Sequence, residues 1–222
     1  MKAKHKHFIP TYAYLPIVIA FICTNLVYFL TKLVYDPERT YDLSLGIDRA
    51  LPFVPAFILF YVLAYLQWIF GYIMIARESR EEFYKVAYTN ILAKILCGII
   101  FVAIPTVMIR PEITDGGIFN RLTAFIYAAD TPAVNLFPSI HCLESWAVFR
   151  CSLKFKLPIG YKIAMGVFSL GVFASVLLVK QHIILDIPAG ILVFELAYLT
   201  VHFTKIDQKI AKLFKRKTKP SC

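Results

Sequence analysis

The sequence predicts an all-α integral membrane bundle of six transmembrane helices with both termini cytoplasmic, and three observations carry that prediction. Of 222 residues, 59% are apolar and 17% charged, with a mean hydropathy of +0.67, whereas soluble chains run at about 45–50% and about 25%. Six stretches approach the 20 or so mostly apolar residues that a bilayer core requires, separated by short polar or Pro-containing breaks. The net charge of +10 is unevenly distributed along the chain, as it is in membrane proteins. With 15% aromatic residues and no low-complexity block, disorder is excluded.

The spans run over about 15–35, 52–76, 86–109, 139–156, 159–179 and 182–203. The first is too long for a secretory signal, and no small-residue cleavage site follows it. Glu144 and Arg150 interrupt the fourth, whose alternative is an amphipathic helix on the surface. Pro105 and Pro188 predict bends in the third span before Arg110 and in the sixth just below His182. In the fifth, Gly160, Ala164, Gly171 and Ser175 have the small-xxx-small spacing of close helix packing. The longest non-spanning stretch, Arg110 to Pro138, holds the turn signal Asp115-Gly116-Gly117. Apolar residues then recur at helical spacing from Ile118 to Ala129, which predicts a short interfacial helix in this outer loop. The chain reads as a single transmembrane domain over 1–222 with a basic cytoplasmic tail over 204–222.

Charge sets the orientation. With the N-terminus inside, 17 of the 24 Lys and Arg residues fall in cytoplasmic segments and 6 outside, with Lys94 inside the third span. The excess positive charge is thus explained without nucleic acid, and the chain reads as a multi-pass protein of the cell membrane. Its basic tail either faces anionic lipid or is merely solvated. The five cysteines, at 23, 97, 142, 151 and 222, include no Cys-x-x-Cys pair. They indicate neither a disulfide framework nor a zinc site and read as small hydrophobes.

In so apolar a chain the informative residues are the ionisable ones set against the membrane. His5, His7 and His202 lie at the cytoplasmic side, whereas His141 and His182 fall at the outer ends of spans, level with Arg110 and Lys180. His182 and Asp186 are four apart at the start of span six and so share a helix face, where the carboxylate can hold one ring nitrogen and free the other as nucleophile or base. Ser139 and His141 open span four, where a helix N-terminus favours an anion. Arg110, followed by Pro111, can clamp a phosphate. A histidine nucleophile, a histidine acid and a cationic cradle suit phosphoryl transfer.

These residues resemble the type 2 phosphatidic acid phosphatase (lipid phosphate phosphatase and haloperoxidase-like) superfamily, whose signature is Lys-x6-Arg-Pro, Pro-Ser-Gly-His and Ser-Arg-x5-His-x3-Asp. The chain shows Arg110-Pro111, then Pro138-Ser139-Ile140-His141, then Ser175 with His182 and Asp186 at the family spacing. Ala103, Ile140 and Val176 stand where the family has Lys, Gly and Arg. Such thinned motifs look like the branch containing sphingomyelin and inositol phosphorylceramide synthases. The resemblance implies that His182 attacks phosphorus, Asp186 orients His182 and His141 protonates the leaving oxygen. It further implies that Arg110, Lys180 and Ser139 hold the phosphoryl oxygens, with Lys180 replacing a missing cation. Ser175 is either a site residue or a packing residue. Neither metal nor cofactor is implied, and no Asp/Glu/His cluster with metal spacing is visible.

Glu144, three residues after His141, either serves the site, by supporting a protonated His141, pairing with Lys180 or touching a head group, or is a satisfied buried carboxylate. Lys94 and Glu195 fall at similar depths in spans three and six and predict an intramembrane ion pair. The expected function is hydrolysis of a lipid phosphate or diphosphate at an extracytoplasmic site through a phosphohistidine. The expected partners are that substrate and the surrounding membrane lipids. The alternatives are a lipid phosphotransferase with an alcohol acceptor, and a non-catalytic lipid-binding or transport relative.

Overall fold

The computed structural model describes residues 8–114 and 116–208. Of the basic tail, only 204–208 are therefore described, and Asp115 of the turn signal also lies outside. Among the described residues there are eight α-helices: α1 (Tyr14–Leu33), α2 (Gly46–Ala50), α3 (Ile58–Glu78), α4 (Arg80–Ala103), α5 (Ile118–Ala129), α6 (Ile140–Ser152), α7 (Ile159–Leu178) and α8 (Asp186–Thr204). Among the described residues the only β pairing is two isolated bridges, Tyr41 with Thr106 and Val107 with Val134. Five helices among the described residues are long and apolar enough to cross a membrane: Thr11–Leu33, Pro55–Glu78, Arg80–Ala103, Ile159–Leu178 and Asp186–Thr204.

The expected fourth span is instead the 13-residue α6, about 20 Å long at 1.5 Å per residue. It is the centre of the bundle and packs on α3, α4, α7 and α8. Leu143, Ala147 and Cys151 face a core shared with α4 and α8, while Cys142 and Val148 face one shared with α3 and α7. Being apolar on both sides, α6 has no solvent face, and this is why its few charged residues each need a partner. Arg150 bonds Glu195 of α8 at 2.9 Å, and Glu144 is paired with Lys94 of α4 at 2.6 Å.

Two expectations from the helix boundaries are corrected. Span three begins at Arg80, not 86, because Ser79 accepts from the Glu82 N–H at 3.2 Å and caps the helix. It ends at Ala103, so Pro105 stops α4 rather than bending it. Span six begins at Asp186, which leaves His182 in the loop before it and Pro188 in the first turn, where a missing N–H breaks no helical bond. The helix expected over Ile118 to Ala129 covers those residues. In α7, Gly171 lies against Phe60 of α3 as the small-residue spacing suggested, but Gly160 has no neighbour.

The starts of α6 and α8 are locked together. The Ser139 N–H donates to the Asp186 carbonyl at 3.1 Å, and a Cβ added to Gly190 would lie 2.4 Å from the Ser139 carbonyl oxygen. Only a residue without a side chain admits that approach. Gly190→Ala should therefore destabilise the protein by about 1–3 kcal/mol, read by thermal unfolding in detergent. Gly160→Ala, with nothing within 4 Å of the new methyl, should be neutral or slightly stabilising; equal effects would show that the contact does not matter.

Candidate active site

His182 is aimed by the end of α7. The N–H groups of Gln181 and His182 both donate to the Val176 carbonyl at 2.9 Å, and that of Lys180 donates to Leu177 at 3.1 Å. Together these close the helix in a Schellman motif. The motif needs a left-handed residue after the cap, and Lys180 supplies it at φ 51°. Asp186 Oδ2 then accepts from the Ile183 N–H at 3.1 Å, which folds the intervening turn back on itself. His182 Nδ1 lies 2.9 Å from both Asp186 Oδ2 and the Leu136 carbonyl. Two acceptors at one nitrogen place the proton there, so Nε2 carries the free lone pair. The expected His182–Asp186 contact is present, made by a turn and not by a shared helix face.

The Leu136 carbonyl is itself held in place. Thr106 Oγ1 accepts from the Leu136 and Phe137 N–H groups at 3.1 and 3.0 Å, and Asn135, left-handed at φ 62°, donates to Thr31 of α1 at 2.8 Å. His141, on the first turn of α6, has its ring centre 6.3 Å from that of His182. It stacks on Tyr61 at 4.1 Å, with Trp68 and Tyr65 at 5.1 and 5.6 Å. Three aromatic rings on α3 thus fix the imidazole. Both histidines line a cavity of about 550 Å³ between α1 and α3.

The cations differ from expectation. Lys180 Nζ donates to the Asp48 and Leu51 carbonyls at 2.8 and 2.7 Å, so it ties down α2 instead of facing the cavity. Ser139 is fully buried, its hydroxyl caps α6 by accepting from the Cys142 N–H at 3.3 Å, and it is not among the residues that line the cavity. Ser175 is also fully buried and donates to the Val172 carbonyl at 2.7 Å, a packing role. Arg110 does reach the site, through two lining residues: it bonds Asp130 Oδ2 at 2.5 Å and Gln181 Oε1 at 2.7 Å, with Tyr127 under its guanidinium at 4.7 Å.

Lys32, Asp130 and Gln181 were not anticipated. Lys32, at the end of α1, meets Asp130 at 3.2 Å, so this carboxylate sits between two cations. Burial pushes the Asp130 carboxyl up to about 7, and the two cations beside it work the other way. Position at a helix end, level with Arg110, was the one signal for Lys32, and adjacency to His182 the one signal for Gln181.

The remaining correction concerns Lys94. It does not meet Glu195 but pairs with Glu144, whose carboxylate also accepts from Tyr72 and, at 2.8 Å, from Asn90. With α4 starting at Arg80, Lys94 stands about 21 Å from the start of its helix, whereas Glu195 stands about 14 Å from the end of α8, so the two miss in depth. Glu195 takes Arg150 and the Trp146 N–H, the latter at 2.8 Å.

Five of the nine buried polar side-chain atoms without a hydrogen-bond partner among the described residues belong to this region: Asn90 Oδ1, Arg110 Nε, His141 Nε2, Gln181 Nε2 and Asp186 Oδ1. Such a concentration is the mark of a site that receives polar groups. Among the described residues no three His, Cys, Asp or Glu side chains are arranged to hold a metal. No family model, curated protein or solved structure matches the chain.

If Lys180 acts only as a clip, Lys180→Ala should lose two hydrogen bonds while keeping the left-handed strain, at a cost of about 1–3 kcal/mol. Lys180→Gly relieves that strain and should melt higher than the alanine variant. A lysine needed instead for charge at the cavity would leave both variants equally impaired in ligand binding, whatever their melting temperatures.

Proposed function

We propose that the protein is a membrane lipid phosphatase working through a phosphohistidine, and the observation that carries this is His182, with Nδ1 held by Asp186 and Leu136 and Nε2 left free beside His141. In this reading the Nε2 lone pair attacks phosphorus, the bond from phosphorus to the lipid oxygen breaks, and that oxygen takes a proton from His141. Water then attacks the phosphohistidine, the P–N bond breaks, and the proton that water sheds returns to His141. The net change is lipid phosphate plus water to lipid alcohol plus phosphate. Asp186 stabilises the charge that builds on His182.

Phosphate competes with Asp130 for Lys32 and Arg110, and its negative charge supplies what an imidazolium at His141 needs nearby. Entry from the bilayer is supported by the place of the cavity: α1 packs on α4 and buries only Thr31. A lipid tail therefore has a route between α1 and α3. We place α6 as a sixth, short crossing, both termini in the cytoplasm, and the site at the extracytoplasmic side of the cell membrane, in keeping with the 17 of 24 basic residues on the inner side. The length of α8, 19 residues or about 28 Å, supports a site level with the outer edge of the hydrocarbon.

Phosphate release from a lipid phosphate by the purified protein tests the reading. His182→Ala should abolish it, along with an acid-labile phosphoenzyme trapped by rapid quenching, and Asp186→Asn should slow it by about a hundredfold or more. Persistence of turnover in His182→Ala would remove the mechanism. Consumption of substrate only when an alcohol is added would favour the transferase alternative. Lys32→Met should raise KM by about tenfold, the loss of one charge-assisted bond, with a smaller change in kcat.

A further inference from the structure

The cavity has a second polar region. Lys94 and Glu144 are 3% exposed and Asn90 1%, yet all three line the cavity together with Tyr72. Burying an ion pair among apolar helices seldom stabilises a fold, and ionisable residues at membrane depth mark function by default. The cluster differs from Lys32 and Arg110, two cations that share Asp130, in being electrically neutral, since the ammonium is matched by the carboxylate. It therefore has no charge to offer a phosphate. It does offer hydrogen bonds: Lys94 uses two of its three donors, on Glu144 Oε1 and the Ala20 carbonyl, and Asn90 Oδ1 has no partner. A donor and an acceptor side by side suit a hydroxyl, amide or ester.

Position narrows the ligand further. Glu144 follows His141 by three residues on α6, about 4.5 Å deeper along the axis. Starting from a phosphorus held at the histidines, that is the reach of about four bonds: through the ester oxygen, the first carbon and the second carbon to an oxygen or nitrogen upon it. We infer that Lys94, Glu144, Asn90 and Tyr72 form a subsite for the hydrogen-bonding group on the carbon next to the phosphate-bearing one, so that the substrate is a glycerol- or sphingoid-type lipid phosphate and not a prenyl phosphate. This rests on the phosphatase reading for the placement of the phosphate. A prenyl phosphate has only an alkene carbon at that position and would leave the cluster unpaired, which is how a polar site rejects an analogue.

The test presents the full-length protein in non-ionic micelles with dioctanoylglycerol phosphate, sphingosine phosphate and farnesyl phosphate. One or both of the first two should be turned over with a kcat/KM about tenfold or more above farnesyl phosphate, and which of them leads separates the two lipid types. In Lys94→Met/Glu144→Met, where an apolar pair replaces the ion pair, the ratio should fall towards one, and Asn90→Leu should lower it as well. A ratio cancels any loss of folded protein, so a poorly folding variant does not mimic the result. A wild-type ratio near one, or a ratio unchanged in both variants, overturns the subsite. Should no lipid phosphate be turned over, the phosphatase reading fails, and the subsite is still read by heat. Dioctanoylglycerol or sphingosine should then raise the Tm of the wild type more than farnesol does, with that difference lost in the double variant; equal shifts overturn it.

Discussion

The contact between the start of α6 and the start of α8 is the constraint from which the rest of the site follows. Gly190 lets the Ser139 carbonyl approach where any side chain would collide, and the Ser139 N–H to Asp186 carbonyl bond fixes the two helix starts at one level. His141 rises from one start and Asp186 from the other, so the relative height of the proposed acid and of the carboxylate behind the proposed nucleophile is set by this backbone junction. The loop from Asn135 to Ser139 is then stretched between α1, Thr106 and this junction, and its Leu136 carbonyl becomes the second anchor of His182.

Much of this was legible in the sequence because membrane helices announce themselves by length and apolarity. The fifth span and the helix over Ile118 to Ala129 were delimited to within a residue, and the histidine pair and Asp186 were found by spacing. Rotation and fine register were not legible. The Ser79-to-Glu82 cap that starts α4 early sits inside a charged stretch that reads as a loop, and the six-residue difference moved Lys94 from the depth of Glu195 to that of Glu144. Lys180 misled for a different reason. A residue just after α7 in left-handed geometry is usually glycine; a lysine there gives no sign of a Schellman turn, and its side chain could be counted as a site cation when its charge is spent on two carbonyls in and just after α2.

The distribution of charge through the bundle divides into three levels. At the end where α6 and α8 begin, Lys32 and Arg110 share the Asp130 carboxylate. One turn deeper, Lys94 and Glu144 balance. At the opposite end, Arg150, Lys154, Glu195 and Glu82 interlock around Tyr198. The short α6 stops there, and the long basic side chains fill the shortfall while keeping their charged ends among partners. The bundle is thus polar at both ends of its central helix and neutral between them.

The attachment of α1 is uneven along its length. Near its first turn the Tyr12 hydroxyl donates to the Ala76 carbonyl, Val27 packs in the gap left by Gly98, and its last turn is held by Asn135 and by the Lys32–Asp130 pair. Between these ties its face toward α3 is the cavity wall. On the proposed reading, a phosphate that draws Lys32 from Asp130 also unfastens the upper end of that wall. Arrival of the head group and admission of the tail then become one event, and the helix acts as a door whose latch is the same ammonium that greets the substrate.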